Sequence, residues 1–252
     1  MPRPKKKVIL IIVEGKSDKS ALERPIQGLL EGNEHRIEAC FLVAKTDVTS
    51  DSRNNPSNIL NKINQWYFEP FFSANEHYYP KDIIEVVQIC DLDGTFIPDE
   101  NCHAYTPVHS AAEGFVYAPP CIYGPTSEII IDRNHRKADN IRFLLAQTTI
   151  KVKSKTVPYS VYFFSSNIDH YLHDHLNLDA RAKNNQAESF ADKCTEDPDY
   201  FVKRICRHSQ ALKNMSYQES WDFIMSDCNS IKRHTNFNIY IEALIKKIRE
   251  AP

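Results

Sequence analysis

The chain has 252 residues, of which 42% are hydrophobic and 25% charged, enough to bury a substantial core and ordinary for a globular protein. A formal charge of −2 argues against binding polyanions through bulk charge and leaves room only for local basic patches. Seven scattered cysteines without a CxxC pair speak against zinc ribbons and disulfide scaffolds. No apolar run approaches a membrane span or a signal-peptide core, so a cytoplasmic protein is expected.

Val8 to Val13 is an unbroken run of β-formers, the pattern of a strand buried on both faces of a parallel sheet. It stops at Glu14-Gly15-Lys16-Ser17-Asp18, where Gly15 is expected to turn the chain and Ser17 or Asp18 to cap a helix. Leu22, Ile26, Leu29 and Leu30 give that helix its apolar spacing. Arg36 to Ala44 reads as a second strand, Asp47 to Asn58 as a polar loop, and Pro56-Ser57 as the start of a helix running to Phe71. Ile83 to Cys90 is the strongest strand, and it ends in Asp91-Leu92-Asp93-Gly94.

From Thr95 to about Arg133 helical periodicity is lost and prolines accumulate, which predicts a long irregular insertion with a short strand at Glu128 to Ile131. A helix follows from Arg136 to Gln147, then Lys151, Lys153 and Lys155 alternate before another strand at Tyr159 to Phe164. That strand opens into Ser165-Ser166-Asn167-Ile168-Asp169. Beyond Lys183 the pattern is helical, over 187–194, 199–212, 217–225 and 237–248. The expected architecture is an α/β domain with a Rossmann-like parallel sheet flanked by helices over 1–182, an insertion at about 95–133, and a helical extension over 183–252.

Three strand ends thus carry acids: Glu14 with Asp18, Asp91 with Asp93, and Asp169. Carboxylates gathered at one sheet edge repel one another, and a divalent cation with oxygen ligands, Mg²⁺ or Mn²⁺, removes that cost. Each site has a plainer explanation. Glu-Gly after a strand is commonly a turn, Ser-x-Asp a helix cap, and Asp-x-Asp-Gly a turn as well; it is their recurrence at successive strand ends that points to metal.

Val13-Glu14-Gly15 with Asp18, followed by a strand ending in Asp91-Leu92-Asp93, resembles the TOPRIM domain of topoisomerases, primases and OLD-type nucleases. The Glu14 to Asp18 spacing and Ser166-Asn167-Ile168-Asp169 are similar to the OLD-type branch, with Asp169 where that branch usually has Glu. The likeness covers roughly residues 7 to 180. It implies a Mg²⁺-dependent nuclease with Glu14 as acid/base or metal ligand, Asp91 and Asp93 as catalytic metal ligands, and Asp18 and Asp169 completing the metal site. Ser166 and Lys16 would support them. It further implies a toxic effector in bacterial antiphage defence beside an ATPase; the chain has no GxxxxGK[ST] of its own, so that ATPase would be a separate subunit. A homo-oligomer is compatible with this reading.

The candidates for guiding a nucleic-acid backbone are Arg133, Arg136 and Lys137, then Lys151, Lys153 and Lys155, with Lys203, Arg204, Arg207, Lys232 and Arg233 in the helical tail. Two rival readings stand beside the nuclease. Asp91-Leu92-Asp93-Gly94-Thr95 is also the nucleophile motif of haloacid-dehalogenase-like phosphatases, with Asp91 attacking phosphorus. The other rival is a non-catalytic TOPRIM-like module that only binds a partner. His170, His173 and His175 lack the complementary ligands for a zinc site and are expected on an exposed helix face.

Overall fold

The computed structural model describes residues 6–33, 36–111, 114–207 and 210–249. Its centre is a five-stranded sheet in the order β2-β1-β3-β8-β7, built from β1 (Lys7–Val13), β2 (Ile37–Val43), β3 (Ile83–Asp91), β7 (Thr149–Val152) and β8 (Lys155–Phe164). The first four in that order are parallel. β7 departs from the all-parallel expectation: it forms an antiparallel hairpin with β8, turning at Lys153, whose φ is +51°. The protein is therefore α/β with a mixed sheet.

Alternation along β1 explains the two cores. Val8, Leu10 and Ile12 face one layer, with the helical segment formed by α2 (Ile59–Ile63), a π-helical turn at Asn64–Phe68 and α3 (Glu69–Ala74). The same layer holds α4 (Ser127–Leu145) and α8 (Tyr217–Ile224), contributing Tyr67, Phe68, Ile141, Leu144 and Trp221. Ile9, Ile11 and Val13 face the other layer, made of α1 (Lys16–Leu30), α5 (Ile168–His173), α6 (Ala180–Glu196), α7 (Pro198–Arg207) and α9 (Phe237–Arg249). Because both faces are covered, every residue of β1 after Lys7 is buried, which is why the strand reads as continuously apolar.

The helical tail shares this core. Phe190, Phe201, Phe237 and Ile241 pack in one cluster with Ile9, Ile11 and Leu22, and α6 begins at Ala180, ahead of the expected 183 boundary. The helix expected over 199–212 is α7 to Arg207 and a short 3-10 turn at Gln210–Leu212, with residues 208 and 209 outside the described residues.

The 95–133 segment is more ordered than its prolines suggest. It holds a second, three-stranded sheet, β4-β6-β5, from Cys102–Ala104, Cys121–Gly124 and Val116–Ala118, over a small core of Ile97, Cys102, Ile122, Ile130 and Ile231. Glu128 to Ile131 is not a strand but the first turn of α4, capped by Thr126, whose hydroxyl accepts from the Ile129 amide.

One topological point positions everything that follows. From β1 the chain moves to β2 on one side, then returns to β3 on the other, with α1 on one face of the sheet and α2–α3 on the opposite face. Strand order reverses between β1 and β3, and ligand crevices in α/β sheets open at the carboxyl ends of the strands at such a point. Glu14 follows β1 and Asp91 ends β3.

Candidate functional site

Six carboxyl groups interact at this crevice, those of Glu14, Asp18, Asp47, Asp91, Asp93 and Asp169, against the cations Lys137, Lys183 and Arg133. Lys137 is the hub. Its ammonium lies 2.9 Å from Asp93 Oδ2, 3.0 Å from Asp47 Oδ2 and 3.3 Å from Glu14 Oε1, with no solvent exposure. Glu14 and Asp93 touch one ammonium, so these oxygens lie at most about 6 Å apart.

Asp93 is held from several directions. Its amide donates to Ser166 O at 2.8 Å, Tyr117 Oη donates to its Oδ1 at 3.2 Å, and Arg133 Nη2 donates to its carbonyl at 3.2 Å. Asp93 and Gly94 both have positive φ, +50° and +68°. The turn that presents Asp93 needs glycine for its conformation, and a Cβ on Gly94, 2.7 Å from Ile122 Cδ1, would also make that side chain shift. Gly94→Ala is expected to destabilise the protein by about 1–3 kcal/mol, measured by urea unfolding; an unchanged midpoint would show that the turn relaxes.

Gly15 works differently from the expectation. Its backbone is extended (φ −126°), so no turn demands glycine there; Asp18 folds back and accepts the Gly15 amide at 2.7 Å, the arrangement of a capping residue. Asp18 is nonetheless buried and faces Asp169 and Asp91. Asp91 Oδ1 accepts the Ile168 amide at 3.1 Å, and Lys183 approaches Asp169 Oδ2 at 3.6 Å.

Electrostatics divide the acids. Burial, then Asp47, pushes the Glu14 carboxyl well above its usual range despite Lys137. Burial, then Asp18 and Asp93, does the same for Asp91. Burial raises Asp18 to about 6 and raises Asp169 also. Asp47 alone is lowered: Lys137 and the hydrogen bonds from Ser50 and Thr49 outweigh its burial. Burial is the first cause of all four raised carboxyls, with neighbouring acids adding to Glu14, Asp18 and Asp91, in a site where six carboxyls stand against three cations.

Oxygen-only donors and excess negative charge fit Mg²⁺ or Mn²⁺ in kind. Geometrically, the centre of the Glu14, Asp47 and Asp93 trio is taken by Lys137 Nζ. Among the described residues no group of three or more acid, histidine or cysteine side chains stands close enough to hold a metal ion.

Several expected residues stand elsewhere. Lys137 and Arg133 are not on a nucleic-acid surface: both are buried, and Arg133 lies over the Phe115 ring at 4.8 Å beside Asp93. Arg136 donates from Nε to Ser50 O, fastening the loop that carries Asp47. Lys155 Nζ bonds Ile83 O, at the opposite end of β3 from Asp91, about 25 Å away by strand rise. Lys151 and Lys153 belong to that far end too, Lys153 lying 4.6 Å over the Phe72 ring. The Ser166 hydroxyl donates to Ile231 O, so it reaches the site only through its carbonyl. Lys16 is exposed on the groove between α1 and the π-helical segment. His170 is buried against Ser166 rather than exposed.

Two residues were missed as members of the site. Asp47 lies four residues beyond β2, so the strand-end rule used for the other acids covers it too; it was hidden in a polar loop, which Asn140 pins by donating to Thr49 O. Lys137 falls on the same helical stripe as Ile130, Ile141 and Leu144, a position that predicts a buried, paired lysine. In comparisons with known proteins, no family model, no curated sequence and no solved structure matches the chain.

Proposed function

We propose that the chain is a divalent-cation-dependent nuclease with a TOPRIM-like core of the OLD type, cleaving DNA or RNA phosphodiesters. The observation that supports this most is the convergence of acids from the ends of β1 and β3, the loop after β2 and the start of α5 on one crevice, with charge in excess of their own cations. The acids do not close on an ion as they stand, with Lys137 between Glu14, Asp47 and Asp93; Asp91, Asp93 and Glu14 are the residues that would hold Mg²⁺ or Mn²⁺ once Lys137 withdrew, and the ion would supply charge to the phosphodiester and a more acidic water.

The chain's own groups divide the remaining work. Burial, then Asp47, raises the Glu14 carboxyl, the direction that suits a group exchanging a proton with a departing oxygen. Lys137 orients Glu14 and Asp93 together. Lys183, one-third exposed beside Asp169, is the cation open to an incoming phosphate.

The test is incubation of the protein with DNA and RNA in Mg²⁺ or Mn²⁺. Glu14→Ala and Asp91→Ala are each expected to lower cleavage by at least about a hundredfold. Cleavage that persists in both variants overturns the reading. In this reading the enzyme is a defence effector in the cytoplasm, working beside a separate ATPase.

A further inference from the structure

A second polar cavity lies beside the acid crevice and carries the opposite charge. It has a volume of about 450 Å³, sits between α5, α6 and α7, and is lined by His173, His175, Gln186, Lys193, Tyr200 and Arg204, among other residues that include no carboxylate. The acids of α6, Glu188, Asp192 and Glu196, line an adjoining groove that shares Asn185, Ser189 and Lys193 with this cavity, so Lys193 stands on the boundary between them. Arg204 is anchored: its Nε donates to Leu172 O at 3.0 Å, which fixes the guanidinium at the end of α5. His173 records the local field. Burial, then Arg204, His175 and Lys193, holds its imidazole down to about 4.

This cleft is continuous with the acid site along two elements. His175 is close enough to Asp169 to act on its carboxyl, and α5 carries both Asp169 and His173. On α6, Lys183 stands beside Asp169 while Gln186 and Lys193 lie one and about three turns further along. The helix rises about 15 Å from Lys183 to Lys193, the span of about four or five nucleotides at a stacked-strand rise. Tyr200, half-buried with its ring 5.9 Å from Phe190, adds an aromatic face of the kind on which bases stack.

We propose that this cleft binds backbone phosphates of the strand entering the acid crevice, so that substrate enters along α6 from the helical tail rather than across the β7 lysines. That the phosphates belong to nucleic acid rests on the nuclease reading; that the cleft takes phosphate rests on its own geometry and charge.

Binding is measured in the Glu14→Ala background, which retains an uncleaved strand, by fluorescence anisotropy of a labelled single-stranded oligonucleotide and by calorimetry with tripolyphosphate. Lys193→Glu and His175→Glu, both at exposed positions, are expected to weaken oligonucleotide binding about tenfold each. Lys193→Glu should also reduce the salt slope by about one. Lys151→Glu, at the far end of the sheet, should leave both unchanged. Equal effects in all three variants, or none in any, overturn the proposal. Tripolyphosphate binding that Lys193→Glu abolishes, in a protein that ignores oligonucleotides, upholds the phosphate cleft and sinks the nuclease reading. Absence of binding to either probe overturns the cleft whatever the cleavage assay shows.

Discussion

Replacing Lys137 with methionine is expected to cost about 3–5 kcal/mol of stability and to lower the melting temperature by roughly 10 °C. The side chain keeps its length but loses the ammonium that Glu14, Asp47 and Asp93 share at 2.9–3.3 Å, in a position with no solvent exposure. Three carboxyls then face one another with only Arg133, 3.8 Å from Asp93, to offset them. Part of the penalty is avoided when Glu14 takes up a proton, since its carboxyl is already pushed upward. The variant also removes the fixed positive charge that opposes a divalent ion among the acids, so Mn²⁺ should raise its melting temperature by more than it raises the parent's. Thermal denaturation with and without Mn²⁺ checks both parts; an equal increment in the two proteins would show that ammonium and ion do not compete.

A second large effect is expected from pH. Asp18 rises from 3.8 to about 6 on folding, and Glu14, Asp91 and Asp169 are raised as well. A carboxyl whose pKa is higher in the folded state binds its proton more tightly there. Its contribution to stability is complete below the unfolded pKa, near 4, and is lost as pH climbs through the folded value. For Asp18 alone the difference is about 3 kcal/mol. Asp47 runs the other way: its lowered carboxyl contributes above its unfolded pKa and loses that contribution in acid. Without divalent cations the protein should therefore be more stable near pH 5 than near pH 8, then weaken again in stronger acid. Mg²⁺ or Mn²⁺ favours the ionised acids, so its stabilising increment should be larger at pH 8 than at pH 5, with protons released on binding. Calorimetric melting across this range is the check. A flat profile with a pH-independent metal increment would mean that the acids do not titrate as a coupled cluster.

The central strands could be read in advance because each carries an apolar run: β1 is apolar after Lys7, β3 is interrupted only by Glu85 and Gln88 before its acid, and β8 is continuously apolar over 161–164. Their ends were visible because those runs stop at Glu14, Asp91 and Ser165. β7 escaped because a short edge strand exposes Thr149 and Lys151, and its hairpin turns through Lys153-Ser154 rather than an Asn-Gly pair. The strands of the small sheet are three and four residues long, below what alternation can signal. For the site, the acids at strand ends were legible because carboxylates are costly beside a buried run. Lys137 was misread as a surface cation because its helix was begun at Arg136. Starting at Ser127, α4 places Lys137 on a stripe with Ile130, Ile141 and Leu144, where only a lysine with buried partners is tolerated. The cleft of His173 and Lys193 was not legible at all, since it is assembled from three helices whose packing no single-helix pattern records.

Asn177, in the connection between α5 and α6, exchanges two hydrogen bonds with the main chain of Tyr117, accepting its amide at 2.8 Å and donating to its carbonyl at 2.9 Å. Tyr117 is the residue whose hydroxyl reaches Asp93. The wall over one half of the acid cluster is thus clipped to the segment that joins Asp169 to Lys183 in the other half. Lifting β5 away from Asp93 would therefore have to break these two bonds or carry the α5–α6 connection with it, so the clip joins the two halves of the acid cluster across a stretch of chain that neither half's own strands span.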